Sequence, residues 1–209
     1  MAINYNIVSD VIDIKNDIPN DKDIFLVDSN VWFWTAYSNA SLGNKVPRPY
    51  QLQYYPSYIN KAINVNAKLY YCGLSLAELA HLIEKTEYDI YYKNISNQIS
   101  SSKEYRHNCL LERTKVINEI KTAWLQIETM AEAIDIQVNN LSIQSALNRI
   151  FAQPIDGYDS FIIEGAINIG ITKIITDDGD YASTPGVQIF TANNNVIESA
   201  KRQSKLICR

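Results

Sequence analysis

Acidic side chains recur in this sequence at points where alternating strands and helices would bring distant segments together. Asp28 directly follows the apolar run Ile24-Phe25-Leu26-Val27, and Asp177, Asp178 and Asp180 directly follow the apolar stretch 171–176. Glu78 closes Ser75-Leu76-Ala77-Glu78, and Asp159 opens the segment 159–169. Asp159 precedes Ile162 and Ile163 by three and four residues, which places it on the inward face of a helix. Carboxylates packed together repel and raise one another's pKa values, so their convergence calls for a cation. With no His or Cys in support, the donors are oxygens alone, which selects Mg²⁺ or Mn²⁺ over zinc. Ions held this way suit phosphoryl chemistry.

Each acid also has a purely local explanation. Asp28 can N-cap the helix after it, and Glu78 completes the S-x-x-E pattern of a capping box. Asp156 and Asp159 can be an N-cap and its first-turn partner, and 177–180 can be a solvated turn. What favours chemistry is their order along the chain and the place to which the elements deliver them.

Those elements read as follows. The run 24–27 is short and continuously apolar, as a strand buried on both faces should be. An aromatic-rich helix over 31–40, a loop over 41–50 and a proline-opened helix over 56–67 come next. A strand over 69–72 leads to the helix of the Ser75–Glu78 box. Widely spaced apolar residues over 87–130, among them Tyr88, Ile95, Ile99, Ile117 and Trp124, predict long amphipathic helices in a hairpin projecting from the core. A strand over 134–138 and a helix over 142–151 follow. The helix 159–169 ends at Gly170, and strands over 171–176 and 187–190 complete the pattern. Alternation of this kind predicts one three-layer α/β/α domain over 1–209 with a mostly parallel central sheet and a helical insertion over 87–130. In a parallel sheet the strand C-termini share one edge, and that crevice is where ligands bind.

Composition narrows the classes. Across 209 residues, 46% are hydrophobic and 20% charged, which is globular rather than disordered. A net charge of −4 excludes a generally basic nucleic-acid coat but not a nucleic-acid enzyme that concentrates carboxylates at one site. Cys72, Cys109 and Cys208 are far apart and odd in number, which excludes a disulfide scaffold and fits a reducing cytoplasm. No run approaches the roughly 18 apolar residues of a membrane span, and no signal peptide opens the sequence.

Leu26-Val27-Asp28-Ser29-Asn30-Val31-Trp32 resembles the first motif of PIN-domain nucleases, in which an aspartate precedes Ser/Thr and Asn. Ser75-Leu76-Ala77-Glu78-Leu79 is similar to the second, whose glutamate is a metal ligand. The segment 159–170 and the Thr176-Asp177-Asp178-Gly179-Asp180 turn resemble the third and fourth. The resemblance implies that Asp28, Glu78, Asp159 and Asp178 bind metal and carry catalysis, with Asp180 as an outer acid. Asn30, Thr176 and Asp177 would be polar supports. T-x-D spacing favours Asp178 over Asp177 as the fourth acid. The resemblance further implies hydrolysis of RNA phosphodiesters, a single-stranded substrate, homodimers, and, for toxin members, an antitoxin protein as partner.

Residues for meeting RNA are less sharply marked. Lys103, Arg106, His107, Arg113, Lys115 and Lys121 enrich the helical region, although interleaved acids point to a solvated face. Trp32, Trp34, Tyr37, Tyr50, Tyr54 and Tyr55 can stack bases or fill the core. His81 and His107 have no Ser or Cys partner for nucleophilic catalysis. Three readings stand: a metal-dependent endoribonuclease; an inactive PIN-like module that binds RNA or protein; and an aspartyl phosphatase. The last is disfavoured by Asn30, where a second acid is expected.

Overall fold

A computed structural model describes residues 3–94 and 99–209. Six strands, β1 (Asp10–Asp13), β2 (Ile24–Val27), β3 (Lys68–Cys72), β4 (Glu132–Ile134), β5 (Lys173–Ile175) and β6 (Gln188–Thr191), form one sheet in the order β1-β6-β5-β2-β3-β4. Every pairing is parallel. The helices are α1 (Ser29–Ala36), α2 (Pro49–Asn64), α3 (Gly73–Asn94), α4 (Ser102–Asn108), α5 (Leu110–Met130), α6 (Asn140–Ala152), α7 (Gly157–Asn168) and α8 (Asn194–Arg202).

Because successive strand side chains point to opposite faces, the sheet supplies two cores. Ile12, Phe25, Val27, Ile175 and Phe190 face a layer containing α1, α2, α3 and α5, where Trp32, Tyr55, Ile83 and Ile127 are buried. Val11, Leu26, Ile174 and Ile189 face the other layer, against Ile162 and Ile163 of α7 and Val196 of α8. The protein is therefore a three-layer α/β fold with an all-parallel sheet, and β2 sits near its middle. None of the helices among the described residues is long and apolar enough to cross a membrane.

Several sequence expectations shift. The proline that opens α2 is Pro49, while Pro56 lies inside the helix; Arg48 N donates to Gln51 Oε1 (2.7 Å), so the start is fixed about two turns earlier than a hydrophobic pattern indicates. Helix α1 stops at Ala36 rather than residue 40, and β4 covers Glu132–Ile134 rather than 134–138. Strand β1 and helix α8 were not legible, since Asp10-Val11-Ile12-Asp13 is flanked by acids and α8 is short and polar on its outer face. Among the described residues the 87–130 region is helical, with Ile99, Tyr105 and Val116 forming a small core of their own and its two ends joined to the main fold. Helix α3 runs on to Asn94, and α5 lays Ala123 and Ile127 into the main core. Ile95, part of the expected helical pattern, lies outside the described residues. Gly170 adopts φ +80° just beyond α7, the left-handed conformation that a helix-terminating glycine tolerates.

Candidate functional site

The end of β2 places Asp28 at the strand edge, where its N–H donates to Ile175 O (3.0 Å). Asp28 occupies the N-cap position of α1 but makes no capping bond. Its Oδ2 instead accepts from Thr176 Oγ1 (2.8 Å), and that hydroxyl also accepts from Asp178 N (2.9 Å). Buried Thr176 thereby ties the acid after β2 to the turn after β5. Asp28 is only 4% exposed. Burial pushes its pKa well above the carboxylate range; the Thr176 bond opposes this, and the charges of Asp178 and Glu78 add to it.

Asp159 enters from α7, where Asp156 is the true N-cap, accepting from Asp159 N (3.0 Å). Its Oδ1 accepts from the buried Tyr181 hydroxyl (2.6 Å). Burial and the neighbouring Asp28 charge push the Asp159 pKa strongly upward, with smaller contributions from Asp156 and Asp178. Asp180, at the start of a short 3₁₀ turn (Asp180–Ser183), is raised to about 6 by burial and by Asp178 and Asp156.

Glu78 departs from the capping-box expectation. Strand β3 passes straight into α3 at Gly73, so Ser75 lies inside the helix and has no N-cap role. Glu78 is left free to accept from Ser29 Oγ, across to the residue after Asp28. Its pKa is raised by burial and by Asp156, against the Ser29 bond.

Asp177 and Asp178 part ways. Asp177 turns toward α2, accepting from Gln51 Nε2 (2.6 Å), Tyr55 OH (2.7 Å) and Tyr50 OH (3.1 Å). Asp178 is the member of the pair whose charge acts on both Asp28 and Asp159. Asn30 lines a cleft of about 550 Å³ with Glu78, His81 and Tyr158. It also lines an adjoining groove of about 660 Å³ with Asp178, Arg48, Lys85 and Tyr5.

Electrostatically, then, Asp28, Glu78, Asp156, Asp159, Asp178 and Asp180 form one cluster. Among the described residues no Lys, Arg or His lies within ion-pair distance of any of them. Their donor chemistry, oxygen only and electrostatically frustrated, fits Mg²⁺ or Mn²⁺. Their spacing is looser than their charges suggest: among the described residues no three His, Cys, Asp or Glu side chains stand close enough to hold an ion as placed.

Sequence reasoning missed four participants. Asp156 was visible only as a cap, yet its charge reaches Glu78, Asp159 and Asp180. Ser29 was hidden within the first motif. Tyr181 follows Asp180 with nothing local to mark its reach to Asp159. Tyr5 comes from the N-terminal segment and packs its ring on Gly179, where a Cβ would fall 2.2 Å from a ring carbon. Conversely, Trp32, Tyr37 and Tyr55 are core, while Trp34 and Tyr50 line the groove. In the helical region Arg106 and Arg113 both pair with Glu84, and Lys115 pairs with Glu112. Compared with protein-family models and with curated protein sequences, the chain matches none.

Proposed function

We propose that this protein is a divalent-metal-dependent endoribonuclease of PIN-like type. The observation that carries the reading is the convergence, without a paired cation, of buried Asp28 and Asp159 and half-buried Glu78, Asp178 and Asp180 from four segments at the C-terminal edge of a parallel sheet. Asp28 follows β2, Glu78 lies in α3 directly after β3, Asp178 and Asp180 follow β5, and Asp159 heads the helix leading to β5. A fold that buries carboxylates beside one another without a cation gives up stability unless a ligand supplies the charge.

Asp28, Glu78, Asp159 and Asp178 would hold Mg²⁺ or Mn²⁺, with Asp180 and Asp156 as outer acids. When bound, such an ion supplies the positive charge that makes a water acidic and offsets charge on a scissile phosphate. The chain's own residues orient the acids. Thr176 fixes one oxygen of Asp28, Tyr181 one oxygen of Asp159, and Ser29 one oxygen of Glu78.

A second reading, an inactive PIN-like module that binds RNA or protein, is favoured by one observation: the acids do not close into a three-ligand group as placed. Incubating purified protein with single-stranded RNA, with and without Mn²⁺ or EDTA, and beside Asp28→Asn, decides between them. The enzyme reading expects cleavage that needs Mn²⁺ and Asp28. Cleavage indifferent to both chelation and substitution overturns the mechanism, and intact RNA with no bound metal selects the inactive module. Homodimerisation and an antitoxin partner are proposals that follow from the PIN resemblance alone.

A further inference from the structure

We propose that the groove beside the acid cluster is the track of a single polynucleotide strand, with Arg48 and Lys85 contacting phosphates and Tyr5 supplying a platform for a base. The strand's chemistry rests on the ribonuclease reading; its path rests on the observations below.

A polyanion approaching a cluster of acids needs positive charge placed against it. Most arginines here are already committed. Arg106 and Arg113 serve Glu84, Arg149 serves Glu164, and Arg209 serves Asp17 and Asp23. Among the described residues Lys45, Arg48 and Lys85 form no ion pair, and all three line the groove that also contains Asp177 and Asp178. They are exposed.

The loop that carries two of these cations is anchored. Buried Asp89 accepts from both the N–H and the side-chain amide of Asn44 (2.9 Å each). Lys93 Nζ donates to Leu42 O (3.0 Å) and Gly43 O (2.9 Å). Pro47 and Pro49 flank Arg48 and restrict the backbone on either side of it. Lys85 stands one helical turn beyond His81 on α3, and both line the groove.

Aromatic rings complete the track. Tyr5 presses on Gly179, and its segment is bracketed by Gln203, which donates to Tyr5 O (2.9 Å) and accepts from Ile7 N (3.1 Å). The N–H groups of Val8 and Ser9 both donate to Ala182 O (2.8 and 3.0 Å). Trp34 is braced by Tyr55 with ring centroids 5.3 Å apart. Tyr5 and Trp34 line the groove, while Tyr55 is buried behind Trp34. Rings held in place can stack only on bases whose faces are free, which a single strand offers and a duplex hides.

Fluorescence anisotropy on the full chain tests this, in EDTA so that no cleavage occurs. The probes are end-labelled single-stranded RNA of about 12 nucleotides, DNA of the same sequence, and the corresponding duplex. Single strands should bind at least about tenfold more tightly than duplex. Tyr5→Ala should weaken binding about tenfold while Tyr5→Phe stays within about twofold, because the ring and not the hydroxyl does the stacking. Arg48→Ala and Lys85→Ala should each cost a fewfold and reduce the salt slope by about 0.7. Equal affinity for RNA and DNA supports the inference, since neither contact requires a 2′-hydroxyl.

The inference is overturned if no single strand binds, if duplex binds as tightly, or if the three alanine variants bind as wild type. Single-strand binding with the expected losses, but no cleavage in Mn²⁺, leaves it standing and removes the ribonuclease reading. Mn²⁺-dependent cleavage that none of the three variants alters removes this inference alone.

Discussion

At the end of the sheet where the strands begin, Asp17 and Asp23 are buried and neutralised. Arg209 grips Asp17 through two bonds of 2.7 Å and reaches Asp23, which also accepts from Lys173 Nζ (2.6 Å). The same guanidinium lies over the Phe190 ring, 4.6 Å from its centroid. Burial raises the pKa of Asp23, but the Arg209 and Lys173 bonds outweigh it and bring it down to about 2. At the opposite end, where the strands finish, Asp28 and Asp159 are as deeply buried and form no ion pair among the described residues. Their pKa values move the other way. Burial of a carboxylate is therefore no functional signal here. The withheld counter-charge sets the cluster apart from Asp17, Asp23 and Glu84, the last shared by Arg106 and Arg113; buried Asp89 has no cation either, but the N–H and side-chain amide of Asn44 satisfy both its oxygens.

The contrast can be broken most directly at the acid end. Asp28→Asn or Asp159→Asn should lower Mn²⁺-dependent RNA cleavage by about a thousandfold or more, as removal of a charge-holding ligand does. The same variants should unfold at higher temperature than wild type in metal-free buffer at pH 8, measured by calorimetry. Lower stability of both variants there would mean that the acids are structural after all.

Next in size is the structural end. Arg209→Ala strands Asp17 and Asp23 without their main partner and should cost about 3–5 kcal/mol in urea unfolding at pH 7. Divalent ions come third. At a hundredfold over its dissociation constant, Mn²⁺ should stabilise the wild type by about 2.7 kcal/mol. It should leave Asp159→Asn much less affected, and an equal shift in both proteins would place the ion elsewhere.

The smallest effect is the most diagnostic of sign. Asp28 and Asp159 bind protons more tightly folded than unfolded, so between about pH 4 and their raised folded pKa values the native state holds more protons. Metal-free stability should fall as pH rises through that window, and Asp28→Asn should flatten the slope. Asp23 has the opposite sign. Its lowered pKa contributes stability above about pH 4 that is lost as pH falls toward 2. A melting temperature followed from pH 2 to pH 9 should therefore rise, pass a maximum and decline before any lysine titrates. A rise that continues through pH 8 would contradict the assignment of unpaired acids.

The sheet was legible because a parallel strand covered on both faces leaves an unbroken apolar run, as in Ile24-Phe25-Leu26-Val27 and Ile174-Ile175. Positions where strands end were legible for the same reason, and so Asp28 and Asp178 could be nominated. Strand β1 and helix α8 escaped because their apolar content is small and is buried only by each other's neighbourhood, Val11 against Ala200 and Val196. The capping-box reading of Glu78 failed on a junction. Whether Ser75 begins a helix depends on whether residues intervene after β3, and none do.

By its order of residue types, the chain alone determined the alternation of strand and helix, and hence an edge at which acids from separate segments arrive together. Tertiary structure alone decided which acids receive a partner. Arg209 and Asp23, 186 positions apart, meet because the final residues fold back under the strand starts. Tyr5 and Gly179 meet because β1 lies beside β6. Pairing of charges is a property of short distances through space, and a sequence specifies those only once its layers have packed.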